Sequence, residues 1–320
     1  MSTRRSTLTL VVNPNAGRGR ARRILPSVTA ALVQGMPHMT LRVQQASSFT
    51  DAKVRALAAV ENSLPPEPGQ AADVLVMMGG DGMASVGLNA CANTHVRLGV
   101  VPAGTGDDFA RGMGLATKPV AAAHAIVEGR ERKVDLLEAR GALTGGAQRR
   151  YVGSVVSTGY DAKVNWRTNH RSVSIGRLSY AWDALAELAV FEPLPYRLVI
   201  DGVPRSLPAI VVAVGNAGYV GGGMHICPDA DPADGLLDLT IVHPVSRFTL
   251  VRLLPSLFNG SFVRDPAVER VRARTVRVDG DRMFAMADGE DLGEVPLDLS
   301  CAAGALTLLG AVRGNHELNR

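Results

Sequence analysis

The chain has 320 residues, 46% of them hydrophobic and 20% charged, with a formal charge of +4 carried almost entirely by arginine. This length predicts two domains with ample core, and no apolar run approaches the roughly 18 residues of a spanning helix, so any membrane contact is expected to be peripheral. Cys91, Cys227 and Cys301 are far apart without a CxxC spacing and the seven histidines are scattered, which excludes a disulfide framework and argues against a zinc site.

The amino-terminal Arg4 and Arg5 precede an apolar stretch, Thr7 to Val12, that is too short for a secretory segment, so a cytoplasmic protein starting on a strand is expected. The first 130 or so residues alternate strand and helix signals. Leu8–Val12 reads as a strand, Ala21–Gln34 as a helix, Leu41–Gln44 as a strand and Asp51–Val60 as a helix. After a proline-rich loop at Leu64–Pro68, Val74–Met78 and Leu98–Val101 read as buried strands. This alternation predicts a mostly parallel sheet with helices on both faces. Beyond Arg130 the pattern changes to strands at Tyr151–Ser157, Tyr196–Ile200, Ala209–Val214, Leu236–Val242, Val271–Val278 and Met283–Ala287. One helix, Ile175–Phe191, interrupts them, and Gly141–Arg150 reads as a turn or loop. Strands separated by glycine and proline turns predict an antiparallel sandwich.

Three polar segments follow the strands of the first half. They are Asn13, Pro14, Asn15, Ala16 and Gly17; Gly79, Gly80, Asp81, Gly82 and Met83; and Pro102 to Arg111, which includes Gly104, Thr105 and Asp107. All are expected at the carboxyl ends of neighbouring strands, where open α/β sheets bind ligands. Glycine there lets backbone amides approach a polyphosphate, and a following helix adds donors and a favourable dipole. The chain has no GxxxxGK[ST], and its Gly17–Arg22 segment lacks the third glycine of a dinucleotide motif, so neither a P-loop kinase nor a Rossmann dehydrogenase is favoured. Near the carboxyl end, Asp288, Gly289 and Glu290 follow the apolar strand ending at Ala287. Taken alone, Asp-Gly there is a hairpin turn. A stretch from Pro228 to Leu236 concentrates carboxylates, and Arg270, Arg272 and Arg274 alternate along a strand that would present a basic face.

The string Leu10–Gly19, the GGDG of Gly79–Gly82 and the segment Pro102–Arg111 resemble the three amino-terminal motifs of the diacylglycerol, sphingosine and ceramide kinase family, in its soluble bacterial branch. Ser157–Val164 with Gly176–Tyr180, then Gly215–Asp238, then Ala287–Glu290 follow in that family's order, so the resemblance spans nearly the whole chain. It implies an α/β nucleotide domain similar to phosphofructokinase and NAD kinase over residues 1–132. A β-sandwich lipid domain over 133–309 would follow, with the segment from about 310 returning to the first domain. ATP and Mg²⁺ are the implied cofactors, and the implied partner is a lipid at a membrane surface, with no nucleic acid and with homodimerisation open.

By the same resemblance, Asp288 is the base that takes the lipid hydroxyl proton, with Glu290 as runner-up. Asp81 positions phosphates and magnesium, Thr105 contacts phosphate or ribose, and Asp231, Asp234 and the carbonyl of Leu236 match a structural magnesium site. Each has a plainer counterpart: Asp81 as a helix cap, Thr105 as turn chemistry and Pro228–Leu236 as a solvated acidic loop. Membrane docking through Arg270–Arg274, or through Arg167, Arg171 and Arg177 beside Trp182 and Phe191, follows from the substrate class rather than from these residues. Two positions depart from the family pattern: Met83 replaces a hydroxyl residue, and Asp107 stands where Asn is usual. Two alternatives remain. One is a soluble NAD kinase relative, which shares GGDG; the other is a non-catalytic lipid-binding or regulatory homologue with a decayed nucleotide site.

Overall fold

The computed structural model describes residues 5–159 and 193–311. The expected helix Ile175–Phe191, the motif residues 160–164 and 176–180, and Arg167, Arg171, Arg177, Trp182 and Phe191 lie outside the described residues. The chain forms two compact units, one running to Val134 and resuming at Gly304, the other spanning Asp135–Ala303. The boundary thus falls two residues beyond the expected 132, inside a continuous strand where composition gives no signal. The return to the first unit begins at Gly304 rather than about 310, because the last strand carries on through it.

The first unit contains β1 (Thr7–Val12), α1 (Ala16–Gly35), β2 (Thr40–Gln45), α2 (Phe49–Glu61), β3 (Val74–Gly79), α3 (Asp81–Cys91), β4 (Arg97–Pro102), α4 (Asp108–Gly112) and α5 (Pro119–Glu128). Its strands are parallel in the order β2-β1-β3-β4, so strand order reverses beside β1. All six residues of β3 are buried, as expected for a strand covered on both faces. Leu8, Leu10 and Val12 of β1 pack with Val28 and Leu32 of α1 and Ala123 and Ile126 of α5. Thr7, Thr9 and Val11 take the opposite face, which α2 partly covers. The Ser48 side chain accepts from Asp51 N (3.0 Å) and caps α2, while α5 starts on Pro119 and ends at left-handed Gly129.

The second unit contains β5 (Glu131–Leu143, begun in the first unit), β6 (Arg150–Val152), β7 (Val155–Gly159), β8 (Leu194–Ile200), β9 (Val203–Ala209) and β10 (Val211–Gly215). The short pair β11 (Tyr219–Val220) and β12 (Met224–His225) follows, then β13 (Leu237–Val242), α6 (Arg247–Leu253), β14 (Val268–Ala273), β15 (Thr275–Asp279), β16 (Phe284–Ala287) and β17 (Glu290–Leu309). One antiparallel layer runs β14-β13-β10-β7-β16-β17. In the other, β15 joins β17 to the β8–β9 hairpin. Alternate residues of both layers, including Val212, Val214, Leu237, Leu239, Tyr196, Leu198, Val276, Val278, Leu297 and Leu299, form one core. This is the sandwich that period-2 patterning predicts. Strand β17 continues into the first unit, where Leu308 and Leu309 pair parallel with Leu98 and Gly99. Among the described residues, no helix is long and apolar enough to cross a membrane.

Three expected strands are each broken in two. Tyr151–Ser157 divides at Gly153 and Ser154, Ala209–Val214 at Ile210, and Val271–Val278 at Arg274, where consecutive segments pair with different neighbours. The expected loop Gly141–Arg150 is shorter, because β5 persists to Leu143 before a single 3-10 turn at Thr144–Gly146.

Candidate functional site

In the first unit, the turns after β1, β3 and β4 are brought together at the carboxyl edge of the sheet, flanking the point where strand order reverses. Their backbones touch. A Cβ on Gly104 would lie 2.5 Å from the Cα of Gly80, and one on Gly17, whose φ is +58°, would strike the carbonyl oxygen of Ala103. Glycine is thus required at these positions by close approach, and at Gly17 by conformation as well. Asn13 organises the first turn: its Oδ1 accepts from Asn15 N (3.0 Å) and its carbonyl from Ala16 N (3.1 Å). Gly17, Arg18 and Gly19 are all left-handed, so regular helix begins only after them, close to the expected start at Ala21. Pro14 is buried, and Asn15 and Thr105 are exposed.

Asp81 stands in the first turn of α3, but it does not serve as the cap. Gly80 is the capping residue, and Asp81 Oδ1 instead accepts from Phe109 N at 3.0 Å, tying the second glycine turn to the third. Burial raises its carboxyl above the usual range. Asp107 Oδ1 accepts from Gly104 N (3.2 Å), and burial raises its carboxyl too, followed by repulsion from Asp81. Two partly desolvated carboxylates on adjoining turns could hold a divalent cation, since Mg²⁺ typically takes only one or two protein carboxylates.

Sequence reasoning missed Arg20. Its Nη2 lies 4.0 Å from Asp107 Oδ2 and donates to Gly104 O at 3.3 Å, so the extra negative charge at position 107 has its own cation. Met83 is 4% exposed and packs against Gly79, which makes it a packing residue in its side chain.

In the second unit, Asp288 and Gly289 have φ of +50° and +82° and join β16 to β17 as a two-residue hairpin turn. The turn reading therefore holds, and the Asp288 carboxylate stands on that turn. The Asp288 carboxylate accepts from Ser154 N (3.1 Å) and Gly153 N (3.3 Å), the two residues that interrupt β6 and β7. Asn216 fixes that interruption. Its Nδ2 donates to Asp135 O (2.8 Å) and Gly153 O (3.3 Å), and its backbone N–H donates to Ser154 O (2.9 Å). Glu290 is instead held by Arg150, with Nη2 to Oε2 at 2.6 Å.

The carboxylates of the acidic loop are engaged within the protein. Asp231 Oδ1 accepts from Ala233 N (3.1 Å), Asp234 Oδ1 accepts from Leu236 N (3.0 Å), and the other Asp234 oxygen pairs with Arg272. Asp238, a residue sequence reasoning did not single out, has its carboxyl pushed up to about 6 by burial, then by Asp229 and Asp231. Arg272 Nε lies 3.7 Å from Asp238 Oδ1, and among the described residues no group of three or more metal-binding side chains is assembled. The basic face expected on Arg270–Arg274 is largely neutralised: Arg270 pairs with Asp229 and Arg272 with Asp234.

Residues 7–139 match the diacylglycerol kinase catalytic domain, and residues 154–310 match the YegS C-terminal NAD kinase beta sandwich-like domain. A diacylglycerol kinase of Mycobacterium tuberculosis H37Rv is 41% identical over 239 residues, covering 74% of this chain and 76% of that protein. The chain belongs to the diacylglycerol kinase family. It is accordingly an enzyme, a phosphotransferase of the lipid kinase class. A diacylglycerol kinase of Staphylococcus carnosus is 25% identical over 292 residues, covering 90% of this chain and 89% of that one. The solved structure of a diacylglycerol kinase from Bacillus anthracis str. Sterne shares the fold, with a TM-score of 0.71 at 20% identity, covering 97% of this chain and all of that one.

Proposed function

We propose that this family member transfers the γ-phosphoryl group of ATP to a hydroxyl of a diacylglycerol-like lipid. The observation that carries the reading is the Asp288 carboxylate, presented on a left-handed hairpin turn and oriented by two backbone amides. In the transfer, the lipid hydroxyl loses its proton to Asp288 as its oxygen bonds to the γ-phosphorus. The bond from that phosphorus to the β,γ-bridging oxygen breaks, and ADP leaves. Asp81 and Asp107 would hold Mg²⁺, which when bound offsets the negative charge of the phosphates. The close-packed glycine turns supply backbone amides for the phosphates, and Asn216 keeps Gly153 and Ser154 where they orient the base.

A lipid acceptor also suits α6, where Phe248 is 79% exposed and Val251 47% exposed on one helical face, beside exposed Arg247. The Arg20–Asp107 arrangement argues against a decayed nucleotide site, because the departure at 107 is matched by a compensating cation. Incubating the full chain with labelled ATP, Mg²⁺ and mixed micelles of diacylglycerol, monoacylglycerol, phosphatidylglycerol or ceramide, with NAD in a parallel arm, tests the reading. Label transfer to diacylglycerol is the expected result. Transfer only to NAD, or none to any lipid, would overturn it.

A further inference from the structure

In the first unit, well away from the glycine turns, a cavity of about 600 Å³ opens on the sheet face that α2 partly covers. That size is typical of small-molecule sites. Parallel register explains its lining: Thr7 stands beside Thr40, and Thr9 beside Arg42, on one face of β1 and β2, with Gln44 next along β2. Ala58, Ala59 and Asn62 near the end of α2 are too short to fill the space above them. A sheet face under a helix is ordinarily apolar, as the other face of this sheet is, with Leu8, Leu10 and Val12.

The lining is rich in unengaged donors. Among the described residues, the hydroxyls of Thr7, Thr9 and Thr40, the Gln44 amide and the guanidinium groups of Arg5 and Arg42 have neither a protein hydrogen-bond partner nor a counter-ion. Thr9 is 6% exposed and lines the cavity. The one acidic residue in the lining, Asp73, has its Oδ1 turned to Thr7 N at 2.7 Å. Two guanidinium groups against one carboxylate leave the cavity positive. Arg5, Thr40 and Arg42 are exposed and Thr7 and Gln44 half-buried, so these donors are open to an incoming ligand, and forked guanidinium donors match the oxygens of carboxylate and phosphate.

We propose that this cavity is a second ligand site, for a small molecule carrying a carboxylate or phosphate group, separate from the nucleotide turns. Thr9 and Asn13 are four residues apart on and just beyond β1, so the cavity lies roughly 13 Å along the strand from the first of those turns. A ligand there joins edge strand β2 to β1 and α2, and charged-group bonding makes its affinity fall with added salt.

Hydrogen–deuterium exchange on the full chain, titrated with inorganic phosphate, glycerol 3-phosphate and citrate at millimolar concentrations, distinguishes the outcomes. The expected result is slowed exchange in peptides spanning Thr7–Thr9, Thr40–Gln44 and Ala58–Asn62 with at least one of these anions. R42Q would weaken that protection about 10-fold or more, and T9V several-fold, at unchanged melting temperature and unchanged lipid phosphorylation. Protection by citrate but not by the phosphates, or the reverse, names the anion class. Protection confined to Gly79–Gly82 and Pro102–Asp108, no protection by any of the three, or equal protection in R42Q would overturn the proposal.

Discussion

The two units hold their principal carboxylates by opposite means. Asp81 sits where glycine turns pack backbone against backbone, is desolvated, and spends an oxygen on the amide of Phe109. Asp288 sits on the tip of a hairpin, partly exposed, with two amides contributed by a break between strands far away in sequence. The first arrangement suits a group that shares a cation with phosphates, because burial penalises its isolated charge. The second suits a group that must take and release a proton, because it is oriented yet still reachable. Parallel and antiparallel architecture explain the contrast. A parallel sheet gathers several turns at one edge, whereas a hairpin presents one turn alone and must borrow its support from neighbouring strands.

That contrast can be broken from either side. The largest effect is expected for G104V in the first unit, since the new side chain meets the Gly80 backbone and neither can yield by rotamer change. It should cost about 3 kcal/mol or more in thermal or denaturant unfolding and abolish nucleotide binding. N216A follows in the second unit. Leaving Asp135 O and Gly153 O without their donor should cost about 1–3 kcal/mol. It should also lower kcat with little change in KM for ATP, whereas a purely structural loss would lower the active fraction alone, visible by active-site titration. R20Q, which removes the cation beside Asp107, should weaken Mg-nucleotide binding several-fold while leaving Asp288 chemistry intact, measured by calorimetry and single-turnover rates.

The smallest effect is expected at Glu269 of β14, which pairs with Arg205 (2.7 Å) and His243 (3.0 Å). The Arg205 hydrogen bond holds its carboxyl below the usual range, so the stabilisation is present above the unfolded pKa and lost as pH falls through the folded one. E269Q should therefore lower stability by at most about 1 kcal/mol at neutral pH and by nothing in strong acid, read from pH-dependent melting.

The parts legible in sequence are those whose signals are local. β3 is an apolar run, β1 and β4 are short apolar-rich stretches before turn residues, and Asp288-Gly289 announces both a hairpin and a carboxylate. β17 was not legible, because Gly293, Pro296 and Gly304 punctuate a 20-residue strand as though it were several loops. The start of β5, Glu131–Lys133, is too polar to read as strand, and Val271–Val278 reads as one strand because nothing local reveals that its halves pair with different partners. The supporting residues of the site were hidden for the same reason. Arg20 meets Gly104 across 84 residues, and Ser154 meets Asp288 across 134. The break at Gly153–Ser154 that makes those amides available looks in sequence like an ordinary strand.

The division of labour between the two carboxylates is tested most directly by measuring lipid phosphorylation and Mg-ATP affinity side by side in D288N and D81N. The account predicts that D288N loses about 10²–10⁴-fold in turnover while binding Mg-ATP as the parent does, and that D81N loses affinity for Mg-ATP. Undiminished turnover in D288N would contradict it.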